Sequence, residues 1–201
     1  MIHRYPESAL RRIGSLYYFM DDFVGSTYNN YVWATRGSGG SISTLPGGVV
    51  QVTANANKDI EAYQGDMTNF SVAAFAQCTW RFKIPTITSA AGEVGFDGSL
   101  ITNIISFRYD SAVGANWLYV INDGGIEVVT GTGIAATTGW VEATMICQPG
   151  SVKYLLNGAQ VGEYTTRIPT ALLQPFFRLD SKTGAARRVY VDWVEAYGNR
   201  A

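Results

Sequence analysis

Residues 71–84 read Ser-Val-Ala-Ala-Phe-Ala-Gln-Cys-Thr-Trp-Arg-Phe-Lys-Ile. Val72, Ala74, Ala76, Cys78, Trp80, Phe82 and Ile84 share one parity; Ser71, Gln77, Thr79, Arg81 and Lys83 share the other. Successive side chains of a strand point to opposite faces, so this period of two predicts a strand over 71–84 with one buried face. Val141, Ala143, Met145 and Cys147 repeat the pattern against Glu142, Thr144 and Gln148. Downstream, 151–156 and 159–164 flank Asn157-Gly158. That dipeptide supplies the two positive φ values of a type I′ turn and predicts a hairpin. Gly47-Gly48 precedes a strand over 49–54, and Asn122-Asp123-Gly124-Gly125 joins strands over 117–121 and 126–130. Strong strands over 17–23 and 188–197 lie towards the two ends. About a dozen short strands with turn signals between them predict an all-β sandwich or barrel. No segment of helical length is periodic enough to compete.

Composition agrees. The 201 residues suffice for one domain with a sizeable core. Charged residues are only 15% and apolar residues 47%, which argues against disorder. The 22 glycines beside 13% aromatics suit strands joined by tight turns. A net charge of −1 gives no general grip on nucleic acid. No apolar run approaches the roughly 18 residues of a membrane helix. The basic N-terminus lacks the continuous apolar stretch of a secretory signal, so cytoplasmic synthesis is expected. Cys78 and Cys147 fit no zinc or redox spacing and read as buried thiols on apolar faces. Residues 1–16 differ in character: His3, Arg4, Arg11 and Arg12 stand against Glu7 alone. They predict an arm with a short helical turn over 8–16, outside a main domain spanning 17–201.

A series of segments carries a resemblance. It runs from Asp21-Asp22-Phe23, Trp33 and the glycines of 37–40 through Gly47-Gly48-Val49-Val50-Gln51-Val52 and Trp80-Arg81-Phe82-Lys83-Ile84-Pro85. It continues with Val94-Gly95-Phe96, Ile105-Ser106-Phe107-Arg108-Tyr109-Asp110, Asn116-Trp117, Gly139-Trp140 and the Asn157-Gly158 hairpin. Val189-Tyr190-Val191-Asp192-Trp193-Val194 closes it. Over 17–198 the chain resembles the concanavalin A-like lectin/glucanase (LamG-like) superfamily, and within it the jelly-roll modules of tailed-bacteriophage structural proteins. The resemblance implies a two-sheet antiparallel jelly-roll sandwich whose first and last strands pair. In relatives one sheet face often holds glycan, and several hold a structural calcium near those two strands. Asp22 and Asp192 are the candidate calcium ligands here.

Catalytic signatures are harder to find. The superfamily's hydrolases carry a Glu-x-Asp-x-x-Glu-like run on one strand, and no such run is present. Glycosidase carboxyls stand about 5 Å apart in retaining enzymes and about 6.5–9.5 Å in inverting ones. Glu93 and Asp97 are four residues apart, about 13 Å along an extended strand. Asp59 and Glu61 share a face at about 6.6 Å. Both pairs read as solvated strand carboxylates. The single histidine, His3, lies in the arm, away from any triad. A lyase would need a placed Tyr, Lys or His base, which nothing marks. Gly37-Ser38-Gly39-Gly40 precedes no helix and reads as a turn. For sugar stacking the candidates are Tyr28, Tyr31, Trp33, Trp117 and Trp140, while Trp80 and Trp193 read as core.

The leading expectation is therefore a non-catalytic virion protein: a capsid decoration, head-fibre or tail-associated module assembled in a host cytoplasm. Arg4, Arg11 and Arg12 would dock on a major capsid or other virion protein, with a homotrimer and a surface glycan as further possible partners. A carbohydrate-binding module or lectin is the alternative. A divergent glycosidase or lyase is the third reading.

Overall fold

The computed structural model describes residues 11–13, 16–23, 33–64, 70–98, 102–182 and 184–199. Strands and their connections account for all of the described chain, without a helix. In chain order the strands are β1 (Arg11–Ile13), β2 (Leu16–Asp21), β3 (Trp33–Arg36), β4 (Gly40–Leu45), β5 (Val49–Ala54) and β6 (Asp59–Gln64). Then come β7 (Phe70–Ser71), β8 (Ala76–Lys83), β9 (Ala90–Asp97), β10 (Ile104–Asp110), β11 (Asn116–Asp123) and β12 (Ile126–Ala135). The last are β13 (Val141–Gln148), β14 (Ser151–Leu156), β15 (Ala159–Tyr164), β16 (Leu172–Ser181) and β17 (Arg187–Asn199).

Two antiparallel sheets stack as a sandwich. One runs β1-β2-β17-β8-β13-β14-β15, with β5 also paired to β17 and β4 to β5. The other runs β12-β11-β10-β9-β16-β6-β3, with β7 added on β16. The expected pairing of early and late strands is present: β17 lies between β2 and β8. The 151–164 hairpin is also as read, with Asn157 at φ 52° and Gly158 at φ 80°.

Two local expectations need correction. The 71–84 segment is not one strand. After β7 the chain turns, and the N–H groups of Ala74 and Phe75 both donate to the Ser71 carbonyl at 3.1 Å. Ala74 is exposed although its parity marked it for the core. Small side chains at Ala73 and Ala74 let the backbone turn tightly there, and the alternation resumes only in β8. Within 8–16, the described residues 11–13 form a strand where a helical turn is expected. Arg11–Ile13 pairs antiparallel with β2, Arg11 opposite Tyr18 and Ile13 opposite Leu16.

Between the sheets lies one aromatic core. Trp33, Trp80 and Phe177 form a triangle with ring centroids 5.6–6.0 Å apart, and Phe82 meets Trp117 edge-on at 5.5 Å. The free thiols of Cys78 and Cys147 are buried in the same core. The alternation that fills this core also fixes the opposite face. On β9, Val94 and Phe96 point inward, which turns Glu93, Gly95 and Asp97 to the outer face of the eight-stranded sheet. Phe177 packs on Trp33 within its own sheet and on Trp80 of the facing one. Phe177→Ala should therefore lower the unfolding free energy by about 3–5 kcal/mol, measured by urea denaturation.

Candidate active site

The outer face of the eight-stranded sheet carries a ladder of charge. Across β10, β9, β16, β6 and β3, directly opposed residues are Arg108, Glu93, Arg178, Glu61 and Arg36. The sign alternates at each step, as cross-strand pairing favours. Glu93 is 3% exposed and is held from both sides. Arg178 bonds one of its oxygens. Arg108 reaches the other at 3.1 Å, where the Ser106 hydroxyl also donates. Both ends of the ladder close on further acids. Arg108 makes a two-point contact with Glu127 at 2.7 and 2.9 Å. Arg36 bonds Glu61 at 2.6 Å and also Asp97, and it lies over the Tyr63 ring at 4.9 Å.

Identical carboxyl groups are pushed in opposite directions here. Burial alone would raise Glu93, but Arg178, Arg108 and Ser106 outweigh it and hold the carboxyl below its ordinary 4.5. Asp97 is fully buried. Burial first, then repulsion from Glu61, lifts it from 3.8 to about 7 against the pull of Arg36. One Asp97 oxygen, Oδ1, has no hydrogen-bond partner. Burial raises Glu61 as well, despite Arg36. A cavity of about 380 Å³ opens beside Glu93, walled by Arg108, Glu127, Arg178, Asp59, Asp180 and Lys182 among others. Asp97 does not line it; Arg36 stands across that carboxyl.

The candidates from sequence are dispersed. Trp33 and Trp117 are each 1% exposed and belong to the core, so neither is a sugar platform. The Trp33 indole N–H donates to Asp21 at 2.7 Å. Trp140 is half-buried at the start of β13, on the other sheet. Tyr28, Tyr31 and Arg4 lie outside the described residues, as do the side chains of Arg11 and Arg12. Asp192 pairs with Arg81 at 3.0 Å, and Asp22 follows β2. Among the described residues no group of three His, Cys, Asp or Glu is placed to hold a metal ion. The solvated reading of Glu93, Asp97 and Glu61 is corrected: each is 3% exposed or less, because neighbouring strands cover them. Asp59 is a separate feature. It binds the Ser38 N–H and hydroxyl and closes the Gly37–Gly40 turn. Arg36, Ser106, Arg108, Glu127 and Arg178 were not foreseen. Their only sequence signal was a polar residue alternating with core residues.

No protein-family model and no curated protein sequence matches the chain. Solved structures do. A Bacillus licheniformis β-glucanase is 15% identical with TM-score 0.68, over 94% of this chain and 100% of that one. A lichenase (β-1,3-1,4-glucanase) from a mouse hindgut metagenome is 14% identical with TM-score 0.71, over 90% and 99%. The fold is the concanavalin A-like jelly roll. An endo-1,3-β-glucanase from Streptomyces sioyaensis extends the series at 12% identity and TM-score 0.70, over 94% and 99%. At these identities the jelly roll itself is what the likeness establishes. It nonetheless overturns the expectation of a non-catalytic virion protein: these jelly rolls, matched over nearly their whole length, are glycoside hydrolases. The narrower likeness to phage modules has no counterpart among them.

The opposed protonation has a measurable consequence. A carboxyl with a raised folded-state pKa stabilises the fold fully below its unfolded value and loses that contribution as pH rises through the folded value. For Asp97 the loss spans about pH 4 to 7. Glu93 is shifted the other way, so its contribution is present above pH 4.5 and lost as pH falls. Unfolding free energy should therefore drop by a few kcal/mol between pH 5 and pH 8. Asp97→Asn should flatten most of that drop in urea titrations at each pH.

Proposed function

We propose that the chain is a glycoside hydrolase acting on a β-linked glucan, with Glu93 and Asp97 as its working carboxyls. The observation that carries this reading is the division of protonation on one face of β9: Glu93 is held ionised and Asp97 protonated near neutral pH. The roughly 13 Å between them is a backbone separation that two side chains reaching towards one sugar can span. Glycoside hydrolysis needs that division: one carboxylic acid protonates the departing glycosidic oxygen, and one carboxylate serves the anomeric carbon directly or through a water. Asp97 takes the first role and Glu93 the second. The β-glucan class is suggested by the similar solved structures, which are β-glucanases.

On this reading Arg36 covers Asp97 in the free protein. Substrate entry must draw the guanidinium aside towards Glu61, which it already bonds. Arg108 and Arg178 keep Glu93 ionised, and Ser106 fixes one of its oxygens, so the carboxylate is oriented before substrate arrives. Tyr63, stacked under Arg36, is the aromatic nearest to this end of the ladder and a surface for a sugar ring.

The test is release of reducing ends from β-1,3-1,4-glucan and β-1,3-glucan. Glu93→Gln and Asp97→Asn should each lower kcat by about 10²-fold or more while substrate still binds. Activity should fall on the alkaline side as Asp97 ionises near pH 7, and on the acid side below 4.5 as Glu93 is protonated. Wild-type rates in both variants, or no hydrolysis across that pH range, would remove the assignment.

A further inference from the structure

The outer face of the nine-stranded sheet carries a second constellation, on the side of the sandwich away from Glu93. The register puts Tyr190 opposite Lys83, and Trp140 immediately precedes Val141, which pairs with Phe82. Lys83 is held between two rings, with its Nζ 4.7 Å from the Trp140 centroid and 5.1 Å from that of Tyr190. The same-face residues two positions along form a polar row. Arg81 lies directly opposite Glu142. The Glu142 N–H donates to Asn157 Oδ1 at 2.9 Å, and the Asn157 N–H donates to the Glu142 carbonyl at 2.7 Å. Arg81 also sits 5.7 Å from the Trp140 ring and pairs with Asp192 at 3.0 Å. A cavity of about 330 Å³ opens against this row, lined by Arg81, Trp140, Val141, Glu142, Asn157 and Gly158.

From this arrangement we infer a second glycan-binding site, which takes a neutral saccharide against Trp140 and does not cleave it. The chemistry of the patch selects the ligand class. Half-buried aromatic rings offer apolar faces to the C–H face of a pyranose. Arg81, Glu142 and the Asn157 amide supply donors and an acceptor side by side, as a ring of hydroxyl groups requires. Two cations, Arg81 and Lys83, balance two acids, Asp192 and Glu142. That balance favours a neutral ligand over a polyanion. Contacts with Lys83 and Arg81 fix the Trp140 ring before ligand arrives, so little conformational freedom is lost on binding. The site stands on its own sheet and needs no hydrolysis at Glu93. Its role is to hold polymer while the other face works on it.

Affinity electrophoresis through gels containing β-1,3-1,4-glucan, β-1,3-glucan or polygalacturonate tests this directly. Wild-type protein and Glu93→Gln should both be retarded by a neutral glucan. Trp140→Ala should weaken that retardation about tenfold, the size expected from losing one aromatic contact. Arg81→Ala, an exposed substitution that leaves the tryptophan in place, should weaken it as well and decides the matter if Trp140→Ala does not fold. Cleavage of short soluble oligosaccharides should be unchanged in both, so loss of activity and loss of retention separate the two faces. Retention that survives both substitutions, that vanishes in Glu93→Gln, or that appears only with polygalacturonate overturns the inference. So does the absence of retardation by either neutral glucan.

Discussion

Five side chains of alternating charge, drawn from five adjacent strands, hold the eight-stranded sheet in register. Glu93 stands second in this ladder, between two arginines, and a carboxylate so deeply buried costs several kcal/mol unless it is paired. Arg108 on one neighbouring strand and Arg178 on the other supply the pairing. A one-residue slip of β9 would turn Glu93 into the core and bring Val94 out, with both arginines left unmatched. The strand order of this sheet and the electrostatics of its outer face therefore have a common origin. The interaction that fixes register also holds Glu93 ionised, while Glu61, two strands along, helps to keep Asp97 protonated.

Where a structural feature is local, the sequence displays it. Asn157-Gly158 dictates its own turn, and the hairpin lies where that dipeptide requires. The misreading of 71–84 has the opposite cause. Parity records which side chains are apolar and does not register a turn made by small residues between two strands of like parity. The acid pair failed for a third reason. Separation along β9 was legible, and so was the shared face, but burial comes from strands far away in the chain. Arg36, Glu61, Arg108 and Arg178 come from four different hairpin arms, and only the fold brings them into one row. Trp33 and Trp117 show the converse: aromatic residues beside polar turns drew attention as platforms, yet both rings fill the space between the sheets.

Gly95 lies between Glu93 and Asp97 on the outer face of β9. A side chain there is excluded, because a Cβ would meet the Ile105 carbonyl and come within 2.7 Å of Ser106 Cα. Strand β10 fills the space a side chain would take, and it contributes the Ser106 hydroxyl to Glu93. Glu93 is thus oriented by a hydroxyl and two guanidiniums from the flanking strands.

The position of β17 has a consequence for how the molecule is made. This strand is inserted between β2 and β8, and it also carries β5. Until it emerges, three strands synthesised much earlier present open edges with no partner. The nine-stranded sheet can be completed only once β17 has been made, through contacts of very large sequence separation, which is the topology associated with slow folding. Exposed edges in the interval invite pairing between nascent chains. Yield of soluble protein should thus be governed by the pace of translation and the availability of chaperones, more than by the stability of the finished sandwich.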